Sequence, residues 1–160
     1  METLIIFGAK YLYLVVVAVA IIYILKQPRE KQKRIILFAV VSLPLSYIVA
    51  KIGSWIYFDP RPFVVGNFTP LIPHVADNGF PSDHTLLTAA ISSVIYSYNK
   101  KVGVLLWILT LAVGISRISA GIHHPIDILG SIIISILTTF VVYKIIRRLY
   151  SQIPANSKEA

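Results

Sequence analysis

The chain has no cysteine among its 160 residues, which excludes a disulfide framework, a thiol nucleophile and cysteine-ligated zinc. Charge is scarce as well. Asp, Glu, Lys and Arg make up 14% of the sequence, against about 25% in ordinary soluble domains. Acidic residues are rarest, 7 against 15 Lys and Arg. So little charge beside 56% hydrophobic residues excludes a disordered chain. The length fits one domain, and no internal repeat or low-complexity domain divides it. Residues 1–150 read as that domain and 151–160 as a polar C-terminal tail.

What the sequence does have is apolar runs. Six stretches carry no Asp, Glu, Lys or Arg: 11–25, 35–50, 62–76, 84–99, 102–116 and 128–143. The stretch 62–76 contains Pro62, Pro70 and Pro73, which no unbroken helix accommodates, so it reads as a Pro-rich loop. The other five run for 15 or 16 residues, short for a membrane core that takes roughly 20. Apolar sequence extends them, with Lys10 the only interruption in 3–25 and Lys51 the only one in 35–58. A water-soluble helical bundle would need polar outer faces that these runs lack. The reading is an all-α integral membrane bundle of about five transmembrane helices.

The formal charge of +8 sits in short islands between the runs, which is the pattern of membrane topology rather than of nucleic-acid binding. With five spans, 11 of the 15 positive residues fall on one side, in 26–34, 99–101 and the C-terminal tail. The positive-inside rule then places the C-terminus in the cytoplasm and the N-terminus outside. Residues 1–10 lack the basic start of a signal peptide, so the first helix is expected to stay.

The outer side collects His74, His84, His123, His124, Asp59, Asp77, Asp83, Asp127, Arg61 and Arg117. Ionisable groups at membrane depth are costly and mark function. They fall into three blocks. In the first, Lys51 precedes Asp59-Pro60-Arg61-Pro62, a stiff turn whose guanidinium suits a phosphate. In the second, Pro81-Ser82-Asp83-His84 opens a helix, with Ser82 as N-cap and free backbone N–H groups for an anion. In the third, Ser116-Arg117 is followed by His123-His124-Pro125-Ile126-Asp127. Pro125 fits the first helical position, which makes His124 the N-cap. Asp127 can then reach back as a capping-box acid, and a carboxylate on one imidazole nitrogen leaves the other free as nucleophile or base. Each block alone also fits a plain structural role: a proline turn with a snorkelling lysine, a helix cap, a proline-initiated helix.

Together the blocks resemble the signature of the type 2 phosphatidic acid phosphatase superfamily of membrane lipid phosphatases: Lys with Arg-Pro, Pro-Ser-x-His, and Ser-Arg-x5-His-x3-Asp. They stand here as Lys51 with Arg61-Pro62, Pro81-Ser82-Asp83-His84, and Ser116-Arg117 with His123 and Asp127. Asp83, where many members have Gly, is similar to the bacterial undecaprenyl-diphosphatase branch. The resemblance implies His123 as nucleophile forming a phosphohistidine, Asp127 as its orienting carboxylate, and His84 as general acid. It further implies Lys51, Arg61, Ser82 and Arg117 as phosphate-binding residues, with Asp83 a possible accessory. No metal and no cofactor would be needed, and the partners are the bilayer and a lipid phosphate or diphosphate. Undecaprenyl diphosphate is the first expectation, with phosphatidic acid or phosphatidylglycerol phosphate as alternatives.

One departure stands out. Nine residues separate Lys51 from Arg61 where the family usually has six, a difference of about 60° around an ideal helix. Two other classes stay open: a metal-dependent hydrolase built on His74, His84, His123 and Asp127, and a non-catalytic channel or transporter.

Overall fold

The structure, a computed structural model, describes residues 1–152, with side chains through residue 148. The elements are α1 (Glu2–Lys10), α2 (Leu12–Leu25), α3 (Arg29–Ile56), α4 (Pro62–Val65), α5 (Asp83–Tyr98), α6 (Lys100–Ser119) and α7 (Pro125–Gln152). Each of the five charge-poor helical runs has become one rod: α2, α3, α5, α6 and α7. Their ends follow local chemistry. Asn99 caps α6 by accepting from Val102 N at 3.1 Å. Pro125 starts α7 at the position where its missing N–H costs nothing. The expected tail lies outside the described residues except for the last two residues of α7.

By length and apolarity α3, α6 and α7 can each cross a membrane, and α1 with α2 forms a fourth crossing if the bent pair counts as one. The remaining rod, α5, has 16 residues, about 24 Å of helix against a core of about 30 Å. It is also the innermost, packed on α2, α3, α6 and α7. Small and hydroxylated side chains let these helices approach closely. Ser92 meets Thr110 at 3.0 Å, Ser46 meets Thr138 at 2.6 Å, and Ser135 donates to Leu86 O at 3.0 Å. Large apolar residues such as Val40, Trp55, Ile108, Ile133 and Leu137 point outward, a surface suited to lipid and unsuited to water.

The run 3–25, read as one helix with Lys10 as its only flaw, is instead broken. The chain leaves helical geometry at Tyr11, and α1 and α2 meet at 50°. The break frees the carbonyl of buried Ala9, and Arg117 Nη1, on α6, takes it at 3.1 Å. Gly8 makes room for this docking, since a Cβ there would collide with the Ser116 side chain. α1 then lies over the loop, with Ile5 and Ile6 packed among Ala9, Ile72, Ala120 and Ile122.

The segment 62–76 contributes the single turn α4 and is otherwise irregular. Basic islands and catalytic candidates separate to opposite ends of the bundle. Tyr98 Oη donates to Arg34 O at 3.1 Å, tying the end of α5 to the start of α3. The three blocks meet at the other end.

Candidate active site

Asn78 organises the loop that carries Arg61. Its Oδ1 accepts from Asp59 N at 2.9 Å and Phe80 N at 3.0 Å. Its Nδ2 donates to Ser54 O, Ser54 Oγ and Tyr57 O at 2.9, 3.1 and 3.0 Å. One amide thereby closes the end of α3 and fixes both flanks of the loop. Arg61 is buried, with Nε on Asp77 Oδ1 at 2.7 Å, Nη1 on Ile122 O at 2.8 Å and Nη2 on Asn78 O at 3.3 Å. Partial burial raises the Asp77 carboxyl, but the Arg61 hydrogen bond and charge outweigh it and leave it below its ordinary value.

The start of α7 carries the capping box its sequence suggests. Asp127 Oδ2 accepts from the N-cap His124 N–H at 2.9 Å, and the same oxygen lies 3.0 Å from His123 Nδ1. A carboxylate there fixes the proton on Nδ1 and leaves a lone pair on Nε2. That lone pair faces two guanidinium groups: Arg61 Nη1 and Arg117 Nη2 each lie 3.3 Å from His123 Nε2. Burial first, then Arg117 and Arg61, pushes the His123 imidazole down to about 2, so the ring is neutral across the physiological range. The arrangement is an uncharged ring nitrogen held between two guanidinium groups, with a carboxylate on the opposite nitrogen. It is suited to attack on an anionic centre whose oxygens the arginines would take up.

A cavity of about 290 Å³ opens in front of this group, lined by Lys51, Arg61, His74, Asp83, His84, Arg117 and His123 among others. Six of the eight residues singled out from the sequence are therefore at or on it: Lys51, Arg61, Asp83, His84, Arg117 and His123. Lys51 reaches the rim despite its unusual spacing and lays its ammonium 5.0 Å from the Tyr47 ring centre. His84, in the first turn of α5, stands edge-on to Tyr13 at 4.6 Å. Asp127 acts from behind His123.

Ser82 differs from its expected place. It occupies the N-cap of α5, but its hydroxyl caps nothing and accepts instead from Thr85 Oγ1 at 3.2 Å. It is fully buried and does not line the cavity. Its carbonyl accepts from Ser131 at 2.9 Å, so the residue joins α5 to α7.

The sequence assigns His124 a helix cap, leaves open whether His74 and Asp77 touch the substrate, and does not single out Asn78. His74 lies 3.4 Å from Arg117 Nη2, with its ring 6.2 Å from that of His123. Burial, then the Arg61 charge, holds its pKa below the ordinary histidine range. The metal alternative required His74, His84, His123 and Asp127 to converge. Among the described residues, the potential ligand atoms that gather within 4.8 Å belong to Asp59, His124 and Asp127. His124 Nδ1 there lies 3.0 Å from Asp59 Oδ2.

A PAP2 superfamily profile matches residues 35–151. Over 105 residues the chain is 41% identical to undecaprenyl-diphosphatase BcrC of Bacillus subtilis (strain 168), a match covering 66% of this chain and 52% of that protein. The chain thus spans about half the length of that relative. It is 33% identical over 138 residues to the bacitracin transport permease protein BcrC of Bacillus licheniformis, covering 86% of this chain and 68% of the other. Among solved structures, Aquifex aeolicus LpxE superposes with a TM-score of 0.69 at 21% identity, covering 89% of this chain and 82% of that one. The first transmembrane PAP2 type phosphatidylglycerolphosphate phosphatase from Bacillus subtilis gives 0.57 at 20% identity, covering 92% and 84%. These two likenesses concern the fold. The profile match encloses every residue that lines the cavity, and the chain belongs to the PAP2 superfamily.

Proposed function

We propose that the chain is a membrane lipid phosphatase that removes the terminal phosphate of a lipid diphosphate through a phosphohistidine on His123. The observation that carries this reading is the position of His123 Nε2, 3.3 Å from both Arg61 and Arg117, with Nδ1 on Asp127. In the first step Nε2 bonds to the terminal phosphorus while the bond from phosphorus to the bridging oxygen breaks. His84, which enters the step as an imidazolium paired with the bound anionic substrate, donates its proton to that leaving oxygen, giving the lipid monophosphate. In the second step His84, now neutral, takes a proton from water as the water attacks the phosphohistidine. The P–N bond breaks, inorganic phosphate leaves and His123 returns to its neutral form. Arg61 and Arg117 take the non-bridging oxygens, with Lys51 at the rim, and Asp127 balances the charge that develops on His123. Every group in this scheme is a side chain, so neither metal nor cofactor enters it.

Undecaprenyl diphosphate is the substrate favoured, on the similarity to the Bacillus subtilis protein of that name and on Asp83 in the second block. The site end of the bundle faces outward and the basic end inward, because the islands at 26–34 and 99–101 lie opposite the cavity. The chain lacks cysteine, so single cysteines at 77 and 100 can be tested in intact cells with a membrane-impermeant maleimide. Labelling only at 77 is the expected result, and labelling only at 100 would reverse the topology.

The activity test is phosphate release by purified protein in detergent with excess EDTA, wild type beside His123→Ala. Release by wild type alone, faster on undecaprenyl diphosphate than on phosphatidic acid or phosphatidylglycerol phosphate, is expected. Preference for the diacyl substrates would replace the lipid but keep the chemistry. The similarity to the bacitracin transport permease protein of Bacillus licheniformis favours a transport reading. That reading predicts no release by either protein.

A further inference from the structure

Asp127 uses only one of its oxygens in the site as described. Oδ2 serves both His123 and His124, whereas Oδ1 has no hydrogen-bond donor among the described residues, and the residue has no exposed surface. Buried carboxylate oxygens are rarely left bare, because nothing replaces the water they have lost. A second carboxyl, that of Asp59, lies close to Asp127. Its Oδ2 lies 3.0 Å from His124 Nδ1, and the potential ligand atoms of Asp59, His124 and Asp127 all fall within 4.8 Å of one another. Two ionised carboxylates so close would repel, while a single proton between them makes a short charge-assisted bond.

We propose that Asp59 is a positioning residue, a neutral acid that donates its proton to Asp127 Oδ1 while its other oxygen accepts from His124. Asp127 then keeps its full charge with both oxygens engaged, and Oδ2 cannot swing away from His123 Nδ1. Three further features agree with this assignment. Asp59 is held from the other side by its own backbone N–H on Asn78. A Cβ at Gly79 would press on Asp127 Oδ2, so the loop closes directly over the pair. Burial, then the Asp127 charge, raises the Asp59 carboxyl above its ordinary value, against the pull of His124. The charged and titratable groups around Asp59 are His124 and Asp127 from the start of α7, His123 behind Asp127, and Arg61 from its own loop.

The inference rests on reading His123 and Asp127 as the catalytic pair, and Asn at position 59 separates it from a general structural role. Asp59→Asn presents an amide N–H to Asp127 and a carbonyl to His124, which copies the protonated acid and has no proton to lose. Asp59→Ala leaves Oδ1 bare. Measured as kcat and KM against pH, Asp59→Asn should keep kcat within about threefold of wild type near neutrality and lose the alkaline fall that ionisation of Asp59 imposes. Asp59→Ala should lose kcat by roughly tenfold or more with little change in KM. Equal impairment of both variants at every pH, with both still monodisperse and melting cooperatively, would overturn the proposal.

An infrared readout is independent of activity. The wild-type pH-difference spectrum should contain a protonated-carboxyl stretch that is absent from Asp59→Asn. An unchanged band would refute the assignment even in an active enzyme. Failure of wild type to release phosphate would refute the function and leave this spectroscopic test standing.

Discussion

Arg117 makes two contacts at once, and removing it should cost both catalysis and stability. Nη2 reaches His123 Nε2 at 3.3 Å, while Nη1 holds the Ala9 carbonyl at 3.1 Å across 108 positions of sequence. The residue is 4% exposed, so water cannot replace either bond. In Arg117→Met the Ala9 carbonyl is left bare, a loss of ~1–3 kcal/mol in stability. A charge-assisted bond to a phosphoryl oxygen is worth ~1.5–3 kcal/mol, so kcat/KM should fall by roughly 10- to 150-fold for each such bond. Arg117→Lys offers one ammonium for two places about a guanidinium's width apart. It should recover one property and not the other: a normal melting midpoint with slow turnover, or faster turnover with α1 loosened. The assays are phosphate release and thermal unfolding in the same detergent. Wild-type kcat/KM in Arg117→Met would refute the placement of Arg117 on the phosphate. Lost activity with an unchanged melting midpoint would refute the claim that Arg117 anchors α1.

The remaining predictions concern groups at the edge of the site. Lys51→Met should raise KM by roughly three- to tenfold with kcat nearly unchanged, and the difference should shrink in high salt, because an exposed rim charge attracts more than it positions. A large loss in kcat would place the ammonium on the reacting phosphate. Ser82→Ala should keep turnover within about twofold while lowering stability by ~1 kcal/mol, since its hydroxyl meets only Thr85; a hundredfold loss would restore it to the phosphate site. Acid should weaken the fold through His123. Burial and the two arginines hold its folded pKa far below the ordinary histidine value of about 6.5, so below that pH the unfolded chain takes up a proton the folded site refuses. Stability is therefore retained above the unfolded value and lost as pH falls below it. The melting midpoint should drop between about pH 7 and about pH 5, less steeply in His123→Gln, with His74 contributing in the same direction. A midpoint that holds steady over that range would contradict the buried neutral imidazole.

Much of this site is legible in the sequence because its parts are local. Pro125, His124 and Asp127 form a helix start within four residues, and the capping geometry brings His123 to Asp127 without help from elsewhere. The rods are equally local, since each apolar run is bounded by charge. The illegible parts depend on distant partners. The break at Tyr11 follows no local signal; its freed carbonyl is satisfied by Arg117, which also serves the cavity. Asp77-Asn78-Gly79 reads in sequence as an ordinary turn, yet Asn78 joins residues 19 and 24 positions away and Asp77 holds Arg61. Ser82 misled for the opposite reason. The preference for serine at N-caps is real, but a hydroxyl buried between α5 and α7 has a nearer partner in Thr85. Asp59 has no readable role in the sequence because nothing in Asp-Pro-Arg-Pro shows that its carboxyl meets His124 some 65 residues later.

The central claim is the covalent intermediate on His123, and chemical trapping tests it most directly. Substrate carrying radiolabel in its terminal phosphate is mixed with wild type, His84→Ala and His123→Ala in excess EDTA, quenched in alkali, and the protein-bound label is measured. His84→Ala should accumulate label that survives alkali and is lost in acid, as a phosphoramidate is, because the group that activates the hydrolytic water is missing. Wild type should show less, and His123→Ala none. Bound label in His123→Ala, or rapid phosphate release by wild type with no label ever bound to protein, would contradict the account.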